Sequence, residues 1–171
     1  MSEVFLFQWG ESVVRWGETV ADDAPVYPEG RRQTGLGELF HLAGAGSEAT
    51  FFVPIGDLGL DRCAIHIGRG RAVIVRQGYG VVCDVVKREA RTVLLYPITG
   101  VRQFGEDLIL WSFTALGILR RDDLLVSEDL VSDSLTVVDM SESGVISGTG
   151  WLNGESVRFE VLKRDLRPTA L

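Results

Sequence analysis

The chain has 171 residues, 46% of them hydrophobic and 24% charged, which is enough apolar material for one domain or a tight pair of subdomains and excludes disorder as a description of the whole. A formal net charge of −7 opposes the approach of a phosphate backbone, so a nucleic-acid binder is not expected. Cys63 and Cys83 are the only cysteines and form no CxxC pair, which excludes a disulfide scaffold or zinc ribbon and leaves two buried, reduced thiols as the expectation.

The opening stretch, MSEVFLFQWGES, has no basic leader and interrupts its apolar run with Gln8 and Glu11, so a secretory signal is not expected and a cytoplasmic location is. Glu3 to Trp9 alternates in a strand-like way, and Ser12 to Trp16 reads as its hairpin partner after Gly10. Val20 to Gly37 has prolines, glycines and charges but no periodic face, and reads as the longest irregular loop, with Tyr27 between Pro25 and Pro28. Leu39 to Ala43 and Thr50 to Pro54 are two further short strands around a glycine-rich turn. Next come four β-rich runs, Cys63 to Ile67, Arg71 to Gln77, Val81 to Val86 and Thr92 to Tyr96. Their connections, Gly68-Arg69-Gly70, Gly78-Tyr79-Gly80 and Lys87 to Arg91, have hairpin length, which predicts a four-stranded antiparallel meander.

Gly105 to Leu119, GEDLILWSFTALGIL, gathers apolar side chains without a charge from Leu108 onward. Both alternating faces are apolar, so it predicts two core strands, Leu108 to Phe113 and Ala115 to Leu119, with no face left for water. It is too short and too interrupted to span a bilayer. Leu124 to Val126 reads as a short strand and Ser127 to Ser132 as one helical turn. Leu135 to Asp139, Val145 to Trp151 and Ser156 to Leu162 predict a second meander, whose last hairpin is closed by Asn153-Gly154, the residue pair that a type I′ turn prefers. The tail after Leu162 is polar and carries no further periodic run. The fold class expected is all-β, antiparallel meanders packed as a β-sandwich or a partial-propeller-like arrangement, in one domain over residues 1–171 with a subdomain break near 55–62.

Arg71-Ala-Val-Ile-Val-Arg-Gln-Gly-Tyr-Gly-Val-Val-Cys-Asp-Val resembles a β-propeller blade. The C-terminal half, from Gly105 with Trp111 through Asp123 and Ile146-Ser-Gly-Thr-Gly, is similar to small uncharacterised β-rich bacterial proteins. The resemblance covers about half the chain, rests on no catalytic motif and implies no activity; successive units share no single period, so it does not imply a closed propeller.

Three patterns in the sequence bear on chemistry. Gly44-Ala45-Gly46-Ser47-Glu48-Ala49 has the spacing of a dinucleotide loop, but a strand follows it where a helix N-terminus is needed, so a plain hairpin turn is expected. In an extended segment Cys63 and His66 point to opposite faces and do not converge as ligands or as a thiol–imidazole pair. Asp122, Asp123, Glu128, Asp129 and Asp133 lack calcium-loop spacing and read as a solvated rim. No catalytic residue, metal or cofactor is therefore expected.

Charge is unevenly spread. Residues 1–61 carry 3 basic and 10 acidic groups, residues 62–102 carry 8 and 2, and residues 103–171 carry 6 and 12. Either these segments complement one another across the folded surface, or the basic middle is an interface. For the interface, Arg69, Arg71 and Tyr79 are the candidates, with Tyr27 on the long loop as the competing one. The function expected is a non-catalytic protein-interaction module, such as an immunity- or antitoxin-like inhibitor whose acidic charge would speed association with a basic enzyme. The alternative is a small-ligand or carbohydrate-binding β-sandwich stacking its ligand on an exposed Trp9, Trp16 or Trp151, and a hydrolase stands third. No membrane or nucleic-acid partner is expected.

Overall fold

The computed structural model describes residues 5–9, 12–16, 26–27, 37–68, 70–105, 107–120, 123–126, 130 and 133–169. Among the described residues the elements are β-strands in open sheets, apart from a 3-10 turn at Lys163–Asp165, so the all-β, antiparallel class expected from the sequence holds. No helix among the described residues is long and apolar enough to cross a membrane. The chain divides into two compact units, Met1–Asp57 with Asp61–Thr92, and Leu58–Leu60 with Val93–Leu171.

In the first unit one sheet contains β1 (Phe5–Trp9), β2 (Ser12–Trp16), β3 (Val26–Tyr27), β4 (Gly37–Gly44) and β5 (Ser47–Pro54), in the order β1-β2-β4-β5-β3. The other is the predicted meander of β6 (Arg62–Gly68), β7 (Arg71–Arg76), β8 (Tyr79–Asp84) and β9 (Glu89–Thr92), hydrogen-bonded in chain order. Side chains two apart share a face, so Phe40 and Leu42 on β4 and Ala49, Phe51 and Val53 on β5 line one side. They share a core with Ala64, Ala72, Ile74, Val81 and Cys83 from the meander.

Three details differ from the sequence reading. The β7–β8 turn is Gln77-Gly78, with φ of 43° and 76°, not the glycine-flanked tyrosine; Tyr79 is the first residue of β8. The fourth strand ends at Thr92, where the sequence placed its start. Within the predicted long loop, Val26–Tyr27 pairs parallel with Thr50 and Phe51 of β5, and the remainder of that loop lies outside the described residues.

In the second unit, β10 (Gly100–Phe104), β11 (Asp107–Trp111), β12 (Leu116–Arg120), β13 (Asp123–Val126) and β17 (Arg167–Thr169) form one sheet in the order β10-β11-β12-β13-β17. β14 (Ser134–Met140), β15 (Val145–Leu152) and β16 (Glu155–Leu162) form the second meander, with β15 in the centre. Neither β10 nor β17 was anticipated, and the helical turn expected over Ser127 to Ser132 lies outside the described residues. The apolar run folds into the β11–β12 hairpin, and Leu108 to Trp111 and Leu116 to Leu119 are buried on both faces. The turn changes which residues share a face: Ile109, Trp111, Leu116 and Ile118 stand together and share a core with Leu135, Val137 and Ile146. Asp107 ties this sheet to the end of the meander. It pairs with Arg120 at 2.9 Å and with Lys163. Burial pushes its carboxyl up, but hydrogen bonds from Lys163 and Arg120, with their charges, outweigh this and hold it below its ordinary range.

Aromatic rings lie over glycines at recurrent positions. A Cβ on Gly100 would overlap the Trp111 indole, its cross-strand partner, and one on Gly148 would overlap Phe159 and the Thr136 carbonyl. The ring fills the space the missing side chain leaves. Asn153-Gly154 forms the expected type I′ turn, with φ of 52° and 83°. A Cβ on Gly154 would meet nothing within 4 Å, so Gly154→Ala carries only the backbone cost of the left-handed conformation. It is expected to lower stability by about 1 kcal/mol, read as a reduced urea midpoint; an unchanged midpoint would contradict the turn.

Candidate binding surface

Apart from Arg91 within β9 and Arg102 on β10 of the second unit, the described cations of the basic middle segment fall at two ends of the first unit. At one end Arg62 of β6 and Arg76 of β7 are cross-strand partners, and Tyr79 of β8 is the next partner of Arg76. Glu38 reaches them from β4. Arg62 Nη2 donates to both Glu38 carboxylate oxygens at 3.1 and 3.3 Å. Arg76 Nε lies 2.9 Å from Glu38 Oε1, close enough for ion pairing but without hydrogen-bond alignment. Arg76 also pairs with Asp61 and donates to its carbonyl at 3.1 Å. Acidic residues of the first segment thus neutralise arginines of the second, the complementation that the charge distribution suggested. Tyr79 belongs to this structural end: its ring packs against the core and its hydroxyl is 3.1 Å from Thr92 Oγ1.

The opposite end of the unit is built from three hairpin connections. The β4–β5 turn, the β6–β7 turn and the β8–β9 turn meet at Gly70, where a Cβ would crowd Val85, Ala45 and Val86. The Val85 N–H donates to the Gly70 carbonyl at 2.9 Å. Asp84 Oδ1 accepts from the N–H groups of Val86 and Lys87 at 3.0 and 2.9 Å, which fixes the third turn from within. Val86 is left 56% exposed at this tip, with Arg71 opposite Asp84 and with Lys87 and Arg88 following in the turn. Arg69 lies outside the described residues, as does the Tyr27 side chain. The structure therefore brings Arg71 to the tip and sets Tyr79 apart from it, and the sequence offered no signal that Ala45 and Val86 join the same surface.

The remaining candidates do not assemble. Cys63 is opposite Val75 and His66 opposite Ala72, three positions apart, so the two side chains leave the sheet on opposite sides. His66 is lowered from its ordinary value by burial, while His41 contacts Thr50 Oγ1 at 3.3 Å and Glu48 at 3.5 Å. The Gly44–Ser47 segment is a hairpin turn running into β5, without a helix N-terminus. Asp133 is exposed, and the rest of the acidic cluster lies in residues whose side chains are outside the description. Among the described residues no group of three His, Cys, Asp or Glu is arranged to hold a metal ion.

Cys83 is opposite Ala72, so Cys63 and Cys83 also face opposite sides of the meander, on its first and third strands. Both are free thiols, and burial pushes Cys63 up to about 11 and Cys83 higher. At neutral pH neither presents a reactive thiolate. Titration with an aromatic disulfide reagent should therefore label both only after denaturation; rapid labelling of the folded protein would show that the meander opens. Comparison with family models, with curated proteins and with solved structures found no match to this chain.

Proposed function

We propose that this chain is a non-catalytic protein-interaction module that engages its partner through the three-turn tip of the first unit. The observation that carries the reading is the convergence of the three turns at Gly70, which holds exposed Val86 beside Arg71, Lys87 and Arg88. An apolar side chain in a turn that also carries lysine and arginine, held by internal hydrogen bonds, needs little ordering when a partner binds. The cations favour a contact surface rich in carboxylates, so an inhibitor directed at a basic enzyme is not part of the proposal. The module belongs in a reducing, cytoplasmic setting, where its two thiols stay unpaired.

The test is quantitative capture of partners by the immobilised protein against two variants, Val86→Asp and Arg71→Glu with Lys87→Glu. A partner retained by the parent and lost at least about tenfold by both variants, at unchanged unfolding midpoints, supports the tip. A partner held equally by all three places its contact elsewhere, with Tyr27→Ala as the next variant.

A further inference from the structure

Asn153 is the single asparagine of the chain, and a glycine follows it. The pair forms the loop between β15 and β16, where the ladder ends at Leu152 opposite Glu155. Asn153, Gly154 and Glu155 are exposed. The hydrogen bond of a type I′ turn joins the residues on either side of the loop, so the Gly154 amide N lies outside it. Neighbouring residues thus carry an electrophile, the Asn153 side-chain carbonyl carbon Cγ, and a nucleophile, the Gly154 backbone N, which has no side chain beside it to hinder approach.

Conformation decides whether the two atoms meet. Ring closure needs Asn153 Cβ and Gly154 N on the same side of the Cα–C bond. Asn153 is left-handed, with φ of 52°, and the first central residue of a type I′ turn has ψ of about +30°. For an L residue that ψ sets Cβ and the next N nearly opposite each other, so the closed turn holds them apart. β16 stands last in the order β14-β15-β16, so fraying of its ladder with β15 is enough to release the Asn153 backbone.

We infer that Asn153 is a self-modification site gated by this hairpin, inert while the turn is closed and able to cyclise once it opens. The Gly154 amide gives its proton to solvent base and its N bonds to Asn153 Cγ. The Cγ–Nδ2 bond breaks, and Nδ2 leaves as ammonia with a proton from water. The product is a cyclic succinimide, to which one water adds. Cleavage between N and Cγ gives aspartate; cleavage between N and the Asn153 main-chain carbonyl carbon gives isoaspartate, whose main chain runs through Cβ and Cγ. The net change exchanges ammonia for water, without a redox step. Asp-Gly is itself a preferred type I′ pair, so aspartate rebuilds the hairpin. Isoaspartate lengthens the main chain of a loop whose length sets the register of β15 on β16. Phe159 and Val161 of β16 pack against the core of the second unit, so one opening is recorded there as a lasting loss of order.

The full chain is aged in slightly alkaline buffer, with and without guanidinium chloride above the unfolding midpoint. Conversion is read on the Asn153 peptide by mass spectrometry, and isoaspartate by enzymatic carboxyl methylation. The expected result is conversion in the denaturant and conversion at least about tenfold slower in the folded protein. The isoaspartyl fraction, separated and refolded, should have a lower unfolding midpoint than the parent, whereas Asn153→Asp should keep the parent's. Equal rates in the two conditions, or no conversion in denaturant, overturn the gated site; an isoaspartyl fraction with the parent's midpoint overturns its effect on the hairpin. The site lies in the second unit, so none of these results bears on partner capture by Val86 and Arg71 in the first.

Discussion

Replacing Trp111 by alanine should lower the unfolding free energy by about 3–5 kcal/mol, the range for deleting a buried aromatic side chain. The indole sits in the core of the second unit with Ile109, Leu116, Ile118, Leu135 and Val137, and it covers Gly100 on the neighbouring strand. Its loss leaves a cavity that two sheets must close at once. Gly100→Ala alone should also destabilise, by about 1–3 kcal/mol, because its methyl group and the indole compete for one space. In the Trp111→Ala background that cost should vanish or reverse, a coupling of about 1 kcal/mol or more between the two positions. Urea unfolding of the four proteins, followed by near-ultraviolet circular dichroism, reads this cycle. Additive changes would mean that the ring does not lie on the glycine, and a loss under about 1 kcal/mol for Trp111→Ala would remove the hairpin as a core element.

Glu38→Gln should cost the first unit about 2–3 kcal/mol, below the value for a fully buried pair because water reaches part of the cluster. Side-chain exposure is 13% for Arg76, 30% for Arg62 and 24% for Glu38, so the carboxylate lies between two guanidinium groups with limited solvent screening. The amide keeps the shape and removes the charge, leaving Arg62 and Arg76 adjacent across the ladder with like charge. Asp61, whose side chain is 80% exposed, still pairs with Arg76 and limits the loss. The deficit should shrink when salt is raised from about 0.05 M to 1 M, since screening weakens repulsion between the arginines. A salt-independent deficit would assign the effect to hydrogen-bond geometry rather than charge.

Strand periodicity and turn chemistry made most of the architecture readable. The run from Ser156 to Leu162 forms the strand expected of it, with Phe159 and Val161 packed against the core, and Asn153-Gly154 closes its hairpin as its composition required. The β7–β8 turn was misplaced because Gly78-Tyr79-Gly80 looks like a loop, while glutamine at a left-handed position, as at Gln77, carries no composition signal. β3 and β17 have two and three residues, too few to show a period, and their pairing depends on where the surrounding sheet already lies. The tip was partly legible: its cations stand out as a charge excess, but Ala45 and Val86 reach it only through tertiary packing around Gly70. For Trp151, 54% exposed on the central strand of the second meander, the residue type was visible and its orientation was not, since the sequence alone does not say which face of a central strand a second layer covers.

The short strand β17 closes the edge of its sheet with a proline. It lies at the end of its sheet, pairs with β13 on one side, and places Pro168 opposite Leu125. A proline has no N–H to offer an incoming strand, so the edge that β17 presents is a poor template for extending the ladder. Without β17 the outermost strand would be β13, whose Leu124-Leu125-Val126 backbone would then offer open hydrogen-bonding positions along an apolar, β-prone segment. Trimming the chain after Arg164 should therefore add a concentration-dependent self-association, read by sedimentation, that the full chain shows less.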